Sequence, residues 1–180
     1  MEVNKELKMP YDNSLLGWHY DRLLQASVAM AGLKGNEKVL DFGCEAQHLK
    51  RFLPKKVRYV GYDVVQKFSD VKDYRKLTGI DVVFCMNVLD HLKRGELETL
   101  IKDLKRMKVK KIVVGISSNN LLNRVLSFVF GYDAENFFTH FLEPKEIGRA
   151  LMRNFGLPTN FGRVHLVQYI AVFESGRKGQ

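Results

Sequence analysis

The stretch Glu37 to Gln47, E-K-V-L-D-F-G-C-E-A-Q, restricts the folds open to this chain more than any other. Val39-Leu40 is a short apolar run that leads into Asp41 and a turn holding Gly43. A helix-like segment, Ala46 to Leu53, follows and stops at Pro54. Strand, turn and helix in this order open a doubly wound α/β fold. Such a fold places its ligand at the carboxyl end of the first strand, beside the next helix's N-terminus.

The rest of the chain supplies a sheet around that strand. Val57 to Tyr62 reads as a second strand ending at Asp63, and Asp70 to Tyr74 as an abbreviated edge strand. Asp81 to Met86 (D-V-V-F-C-M) and Lys111 to Ile116 (K-I-V-V-G-I) are nearly unbroken apolar runs, as parallel strands buried on both faces require. Leu16, Tyr20, Leu23, Leu24, Val28 and Ala31 recur at helical spacing and Gly32 supplies a stop. Leu97, Leu100, Ile101, Leu104 and Met107 mark a second helix, and Leu121 to Phe130 an apolar third. Pro144 suits the first turn of a fourth, whose inner face is Ile147, Ala150 and Leu151. Phe161 to Val167 and Tyr169 to Glu174 form an antiparallel pair. The expected architecture is one domain over residues 1–180. It is a three-layer α/β/α fold with a doubly wound, mostly parallel sheet and an antiparallel C-terminal strand. Residues 1–13 and 176–180 are polar and expected to be loosely ordered.

A chain of 180 residues can bury a sizeable core. No apolar run reaches the ~20 residues that cross a bilayer, and Met1 to Lys8 lacks a signal-peptide core. A cytoplasmic location is expected. Cys44 and Cys85 cannot by themselves fill a four-ligand zinc site, so both are read as reduced, buried thiols and no metal is expected. The net charge of +9 permits an anionic partner without demanding one. The densest cationic groups are Lys50-Arg51, Lys55-Lys56-Arg58 and Lys102 to Lys111, which flank helix ends and strand starts.

Polar residues recur at the strand ends. Asp41 and Gly43 follow the first strand. Asp63 ends the second, about twenty residues on, where an acid accepts both ribose hydroxyls of an adenosine. Asp73 and Tyr74 stand within reach of an adenine's edge and face. Asn87, with Asp90 and His91, follows D-V-V-F-C-M. On a parallel sheet all these ends share one rim and converge on one crevice.

The series V-L-D-F-G-C-E-A-Q, Y-V-G-Y-D and D-V-V-F-C-M-N-V-L-D-H-L resembles the motif series of class I S-adenosylmethionine-dependent methyltransferases. It is most similar to the small-molecule type, and the likeness runs from about Leu15 to Glu174. The K-I-V-V-G-I strand, the F-L-E-P-K-E-I-G-R-A-L-M-R-N-F-G helix and the terminal strand pair fit the same pattern. The resemblance implies S-adenosylmethionine as cofactor. Asp41 would orient the loop, and Gly43 would let the backbone approach the cofactor's methionine part, with Cys44 and Glu45 beside it. Asp63, followed by Val64, would bind the ribose. Asp73 or Tyr74 would meet the adenine, and Asn87 would lie near the reacting methyl.

The family has glycine or another small residue where this chain has Glu45 and Gln47. Glu45 turns outward, or contacts the cofactor's positive charge, or blocks the site. His91 and His140 are the candidate general bases, with His19 behind them; a base is needed only for an acceptor that holds its proton near neutral pH. Tyr132, Phe137, Phe138 and Phe141 either wall an acceptor pocket or pack a lid. Three functions follow. The first is methyl transfer to a small-molecule acceptor. The second is methylation of RNA or protein, which requires a contiguous basic surface beside the crevice; N-V-L-D stands where an N-P-P-Y-like tetrapeptide would serve flipped-out amino groups. The third is a non-catalytic Rossmann-like module. A nicotinamide dehydrogenase fits less well, because the turn is not G-x-G-x-x-G.

Overall fold

The computed structural model describes residues 14–117, 141–164 and 168–176. The sheet contains β1 (Lys38–Phe42), β2 (Arg58–Tyr62), β3 (Val82–Met86), β4 (Lys111–Ser117), β5 (Asn160–Val164) and β6 (Gln168–Glu174). Among the described residues the α-helices are α1 (Ser14–Ala31), α2 (Arg94–Arg106) and α3 (Pro144–Phe155). The strand order is β2-β1-β3-β4-β6-β5. β1 to β4 are mutually parallel, β6 is antiparallel to β4, and β5 is antiparallel to β6. β6, lying between β4 and β5, is thus the strand that runs against the others.

Period-two alternation makes this a three-layer fold. Leu40, Val83, Cys85, Ile112 and Val114 face α2 and α3, in a cluster with Leu104, Ile147 and Leu151. Their neighbours Val39, Val82, Phe84 and Val113 face α1 through Leu23 and Leu24. Central strands buried on both faces need the continuous apolar runs seen in the sequence. Each fully buried side chain of this size contributes about 1.5–3 kcal/mol of transfer free energy. Gly32, at φ +58°, ends α1 where its sequence stops it. A reciprocal first-turn bond opens α2, from the Lys93 backbone N–H to Glu96 at 2.7 Å, and another opens α3, from Glu143 to Glu146 at 3.1 Å.

Two expected elements take other forms. The segment after β1 is a 3₁₀ turn, His48–Phe52, rather than a helix from Ala46 to Leu53. Gln47 is left-handed at φ 59°, and Leu53, preceding Pro54, is extended. The five residues between are too few to propagate an α-helix. The expected edge strand at Asp70 to Tyr74 is likewise absent; 3₁₀ turns occupy Gln66–Phe68 and Tyr74–Lys76. Asp70 still pairs with β2. Its N–H donates to the Gly61 carbonyl at 2.9 Å, and its carboxylate accepts the Gly61 N–H at 2.7 Å. One side chain thus supplies a bond that a strand's backbone would have made. The expected helix Leu121 to Phe130 lies outside the described residues.

Candidate active site

β1 and β2 end side by side, with Asp41 opposite Gly61 and Phe42 opposite Tyr62. The chain leaves β1 through Gly43 at φ +80°, and the Gly43 and Cys44 N–H groups both donate to the Tyr62 carbonyl. A Cβ on Gly43 would stand 2.6 Å from Val88 Cγ2. The glycine therefore lets the β1 loop close on the loop after β3, and joins the two strand ends that carry Asp41 and Asn87.

Asp63 holds the turn from the other side. One carboxylate oxygen accepts the Glu45 N–H at 3.0 Å, and the other accepts the Val65 N–H at 2.8 Å. Val64 follows it, 86% exposed. Asp63 Oδ2 thus reaches across to the loop that leaves β1, and its carboxylate retains lone pairs for further donors.

Asp41 is buried, and its carboxylate accepts the Tyr59 hydroxyl at 2.9 Å. Loss of water, then the neighbouring Glu45 and Asp63 carboxylates, push its pKa up to about 7 against the pull of that bond. Tyr59 is itself raised, by burial and then by Asp41. Glu45 is exposed as a residue, yet thinned hydration at its carboxyl and then Asp63 raise its pKa too. Burial, followed by Asp41 and Asp63, pushes the Cys44 thiol up to about 12. Both cysteines are free and buried, as expected, and Cys85 is likewise raised by burial. The turn concentrates negative charge in poorly solvated surroundings, an environment that favours a cationic ligand.

Glu45 and Gln47, at φ 41° and 59°, adopt the left-handed backbone that glycine would have taken without a Cβ penalty. The Gln47 side chain is committed: its Nε2 donates to the Phe68 carbonyl at 3.1 Å and to Asp70 at 2.9 Å. It ties the β1 turn to the segment after β2. The Glu45 carboxylate stays within electrostatic reach of both Asp41 and Asp63.

Asn87, just past β3, is a further left-handed residue at φ 52°. Its N–H donates to the Gly115 carbonyl at 2.9 Å. Its Nδ2 and Oδ1 are both buried and have no hydrogen-bond partner among the described residues. A buried amide with neither group satisfied costs several kcal/mol. Strain and an orphaned amide at a strand end mark a place where a polar ligand belongs. The residues present therefore fit a cationic ligand with polar donors and acceptors.

The structure does not bring every expected residue to this rim. Tyr74 is buried against Phe42 and Tyr62, and its hydroxyl donates to Asp103 of α2 at 2.8 Å. That bond commits its polar end to the α2 layer, and burial leaves its ring no open face for an adenine. Asp73 caps the 3₁₀ turn at Tyr74 and is held by Arg75 at 2.7 Å, which lowers its pKa. His91 is exposed at the end of the Leu89–His91 turn, close in sequence to Asn87. His19 packs on Tyr20 along α1, with ring centroids 5.9 Å apart. His140, His165, Tyr132, Phe137 and Phe138 lie outside the described residues, and Phe141 is exposed. Sequence reasoning missed Tyr59 and Asp70. Tyr59 shares a face of β2 with Gly61 and alternates with Arg58 and Val60, and nothing in that pattern marks its hydroxyl for Asp41. No group of His, Cys, Asp and Glu suited to a metal ion occurs among the described residues.

Comparison with known proteins supplies structural relatives only. No protein-family model matches the sequence, and no curated protein sequence is similar to it. Solved structures do match. The magnesium protoporphyrin IX methyltransferase of Synechocystis PCC 6803, crystallised with bound SAH, is similar at TM-score 0.66 and 18% identity. The match covers 91% of this chain and 88% of that one. The geranyl diphosphate C-methyltransferase of Streptomyces coelicolor A3(2) is similar at TM-score 0.64 and 12% identity, over 95% and 86% of the two chains. The small RNA methyltransferase HEN1 is similar at TM-score 0.61 and 15% identity, over all of this chain but 27% of that one. With a parallel sheet, one reversed strand and polar residues gathered at its carboxyl rim, the chain has the fold of the class I S-adenosylmethionine-dependent methyltransferases.

Proposed function

We propose that the protein is an S-adenosylmethionine-dependent methyltransferase acting on a small-molecule acceptor. The observation that carries this reading is the meeting, at one rim, of an underhydrated acidic turn with the orphaned Asn87 amide. S-adenosylmethionine carries an ammonium and a sulfonium charge, a ribose diol and an adenine. Asp41, Gly43, Cys44 and Glu45 border the cationic end, and Glu45 acts there as a third carboxylate rather than as an obstruction. Asp63, whose oxygens keep free lone pairs, accepts the ribose hydroxyls beside Val64. Asn87 offers its amide near the transferred methyl. Asp73 and Tyr74, engaged elsewhere, are left out of the adenine pocket.

When bound, the cofactor supplies an activated methyl for in-line displacement, so the protein contributes chiefly proximity and orientation. The turn fixes direction: its carboxylates favour one end of a cationic ligand, and the Asp63 carboxylate sits across from them. Asn87 is held by its left-handed backbone and by the Gly115 bond. For an acceptor that keeps its proton at neutral pH, His91 or His140 would accept it. RNA as acceptor is disfavoured, because among the described residues the carboxylates of Asp41, Glu45, Asp63 and Asp70 gather at this rim.

Isothermal titration with S-adenosylmethionine and its demethylated product tests the reading. Micromolar binding is expected. Asp63→Ala should weaken it at least tenfold, equivalent to about 1.4 kcal/mol. Glu45→Gln should weaken it several-fold, whereas Glu45→Gly trades the same charge for relief of the left-handed backbone. A folded protein that binds neither compound at millimolar concentration would refute the proposal.

A further inference from the structure

β1 to β4 all begin at the rim opposite the candidate site, about 16 Å away at roughly 3.3 Å per residue. That rim is basic. Lys34 lies in the turn before β1, Lys55 and Lys56 in the turn before β2, and Arg58 opens β2. Lys108 lies in the turn before β4. All five are exposed, and none makes an ion pair among the described residues. Strand register makes the array contiguous: Lys38 stands beside Arg58, and Asp81, followed by Lys110, is the next position across the sheet. Adjacent strands are about 4.8 Å apart, so the cations sit at the spacing of a surface rather than a scatter.

The carboxylates on this rim are already engaged. Asp81 pairs with Lys110 at 2.8 Å, and Glu174 lies 3.7 Å from Lys111. Glu37 accepts the backbone N–H groups of Lys34, Gly35 and Asn36. Lys38 and Lys111 also donate to the carbonyls of Thr78 and Ala31. The unpaired set is therefore a net positive surface, while the opposite rim gathers Asp41, Glu45, Asp63 and Asp70.

We propose that this amino-end rim docks the phosphodiester backbone of a duplex nucleic acid, as an anchor separate from the site of chemistry. Clustered exposed lysines and arginine on one face are the electrostatic footprint of such a partner. The turns that carry them expose no aromatic ring, so they offer no platform for stacking unpaired bases. Contacts confined to phosphates position a protein without reading sequence. These turns also expose no large apolar residue to enter a bilayer; Leu157, exposed on that rim, stands by β5, two strands beyond β4. The distance between rims keeps a docked duplex away from the candidate site. The surface thus resolves what the charge of +9 serves without making nucleic acid the acceptor.

The test is fluorescence anisotropy of the whole protein against DNA and RNA duplexes of identical sequence, each about two helical turns long, between 50 and 300 mM salt. Five phosphate contacts predict a log–log salt slope of about −4.5 on DNA, at roughly −0.9 per contact. Lys55→Glu/Lys56→Glu/Arg58→Glu should weaken binding more than tenfold and bring the slope near −2. Lys67→Glu/Lys93→Glu/Lys145→Glu, an equal charge change elsewhere on the surface, should not. Cooperative thermal unfolding verifies each variant, and Lys55→Gln/Lys56→Gln replaces the triple variant if that one does not fold. Preference between the two duplexes identifies the source of the backbone. The proposal is overturned by no binding at 50 mM salt, by a slope shallower than −1, or by equal losses in the two triple variants. Tighter binding to phosphatidylserine vesicles than to either duplex would overturn it as well. Cofactor titration, unchanged in the rim variant, separates this outcome from that of the methyltransferase reading.

Discussion

Asp41 is where the chemistry of single residues can be read most directly. Its pKa of about 7 in the fold stands above the ordinary carboxyl value of 3.8. A raised carboxyl stabilises the fold most when protonated, below about pH 4, and that contribution is lost as pH climbs through 7. Between pH 5 and 8 the native protein should therefore lose about 2–3 kcal/mol relative to Asp41→Asn, at roughly 1.4 kcal/mol per pH unit until the carboxyl is ionised. Urea unfolding of both proteins at the two pH values measures this. Parallel curves would place the Asp41 pKa in the ordinary range. Residue identity showed that Asp41 stands at a strand end, but not that Tyr59 would meet it, since the pair depends on register between β1 and β2. Asn87 is legible as a strand-end amide; that no described residue partners it emerges only from packing. The reverse holds for Tyr74, whose sequence position suggests a ligand contact while its hydroxyl serves Asp103.

Among the elements, the apolar runs of β1, β3 and β4 declared themselves, because burial on both faces leaves no room for polar residues. The segment from Asp63 to Ile80 did not. It meets β2 at Asp70 through one backbone bond and one side-chain bond, and no periodicity records that Asp70 pairs with Gly61. Gln47, Asp70 and Gly61 form a linked set that substitutes for an edge strand and holds the β1 turn in place. Asp70→Ala leaves the buried Gly61 N–H without its acceptor and should cost about 2–3 kcal/mol. Gln47→Ala loses bonds at a more exposed site and should cost about 1 kcal/mol. A double-mutant cycle by chemical denaturation should return a coupling of about 0.5–1.5 kcal/mol. Strict additivity would show that the two side chains act independently. Asp70 has a further duty as a guard of the β2 edge, since its carboxylate occupies an N–H that a neighbouring chain's strand would otherwise use.

At the scale of the whole molecule, charge is divided between the two rims of the sheet. The exposed ion pairs, such as Arg51 with Asp21, contribute little at ordinary ionic strength. Repulsion within a +9 chain acts over a Debye length of about 10 Å at 0.1 M and is screened by added salt. The thermal midpoint should therefore rise by a few degrees between 20 and 300 mM sodium chloride, followed by calorimetry. A fall would show that paired charges outweigh the crowded cations. The strand order carries one more consequence. β4 takes its outer partner from β6, not from β5, the next strand in the chain. During synthesis β4 is complete at Ser117, but Gln168 is the first residue able to cover its edge. At about 5–20 residues per second, that interval lasts on the order of three to ten seconds. Throughout it, Ile112 to Ile116 present an unpaired apolar edge on the nascent chain, and that edge is where a ribosome-associated chaperone would be needed.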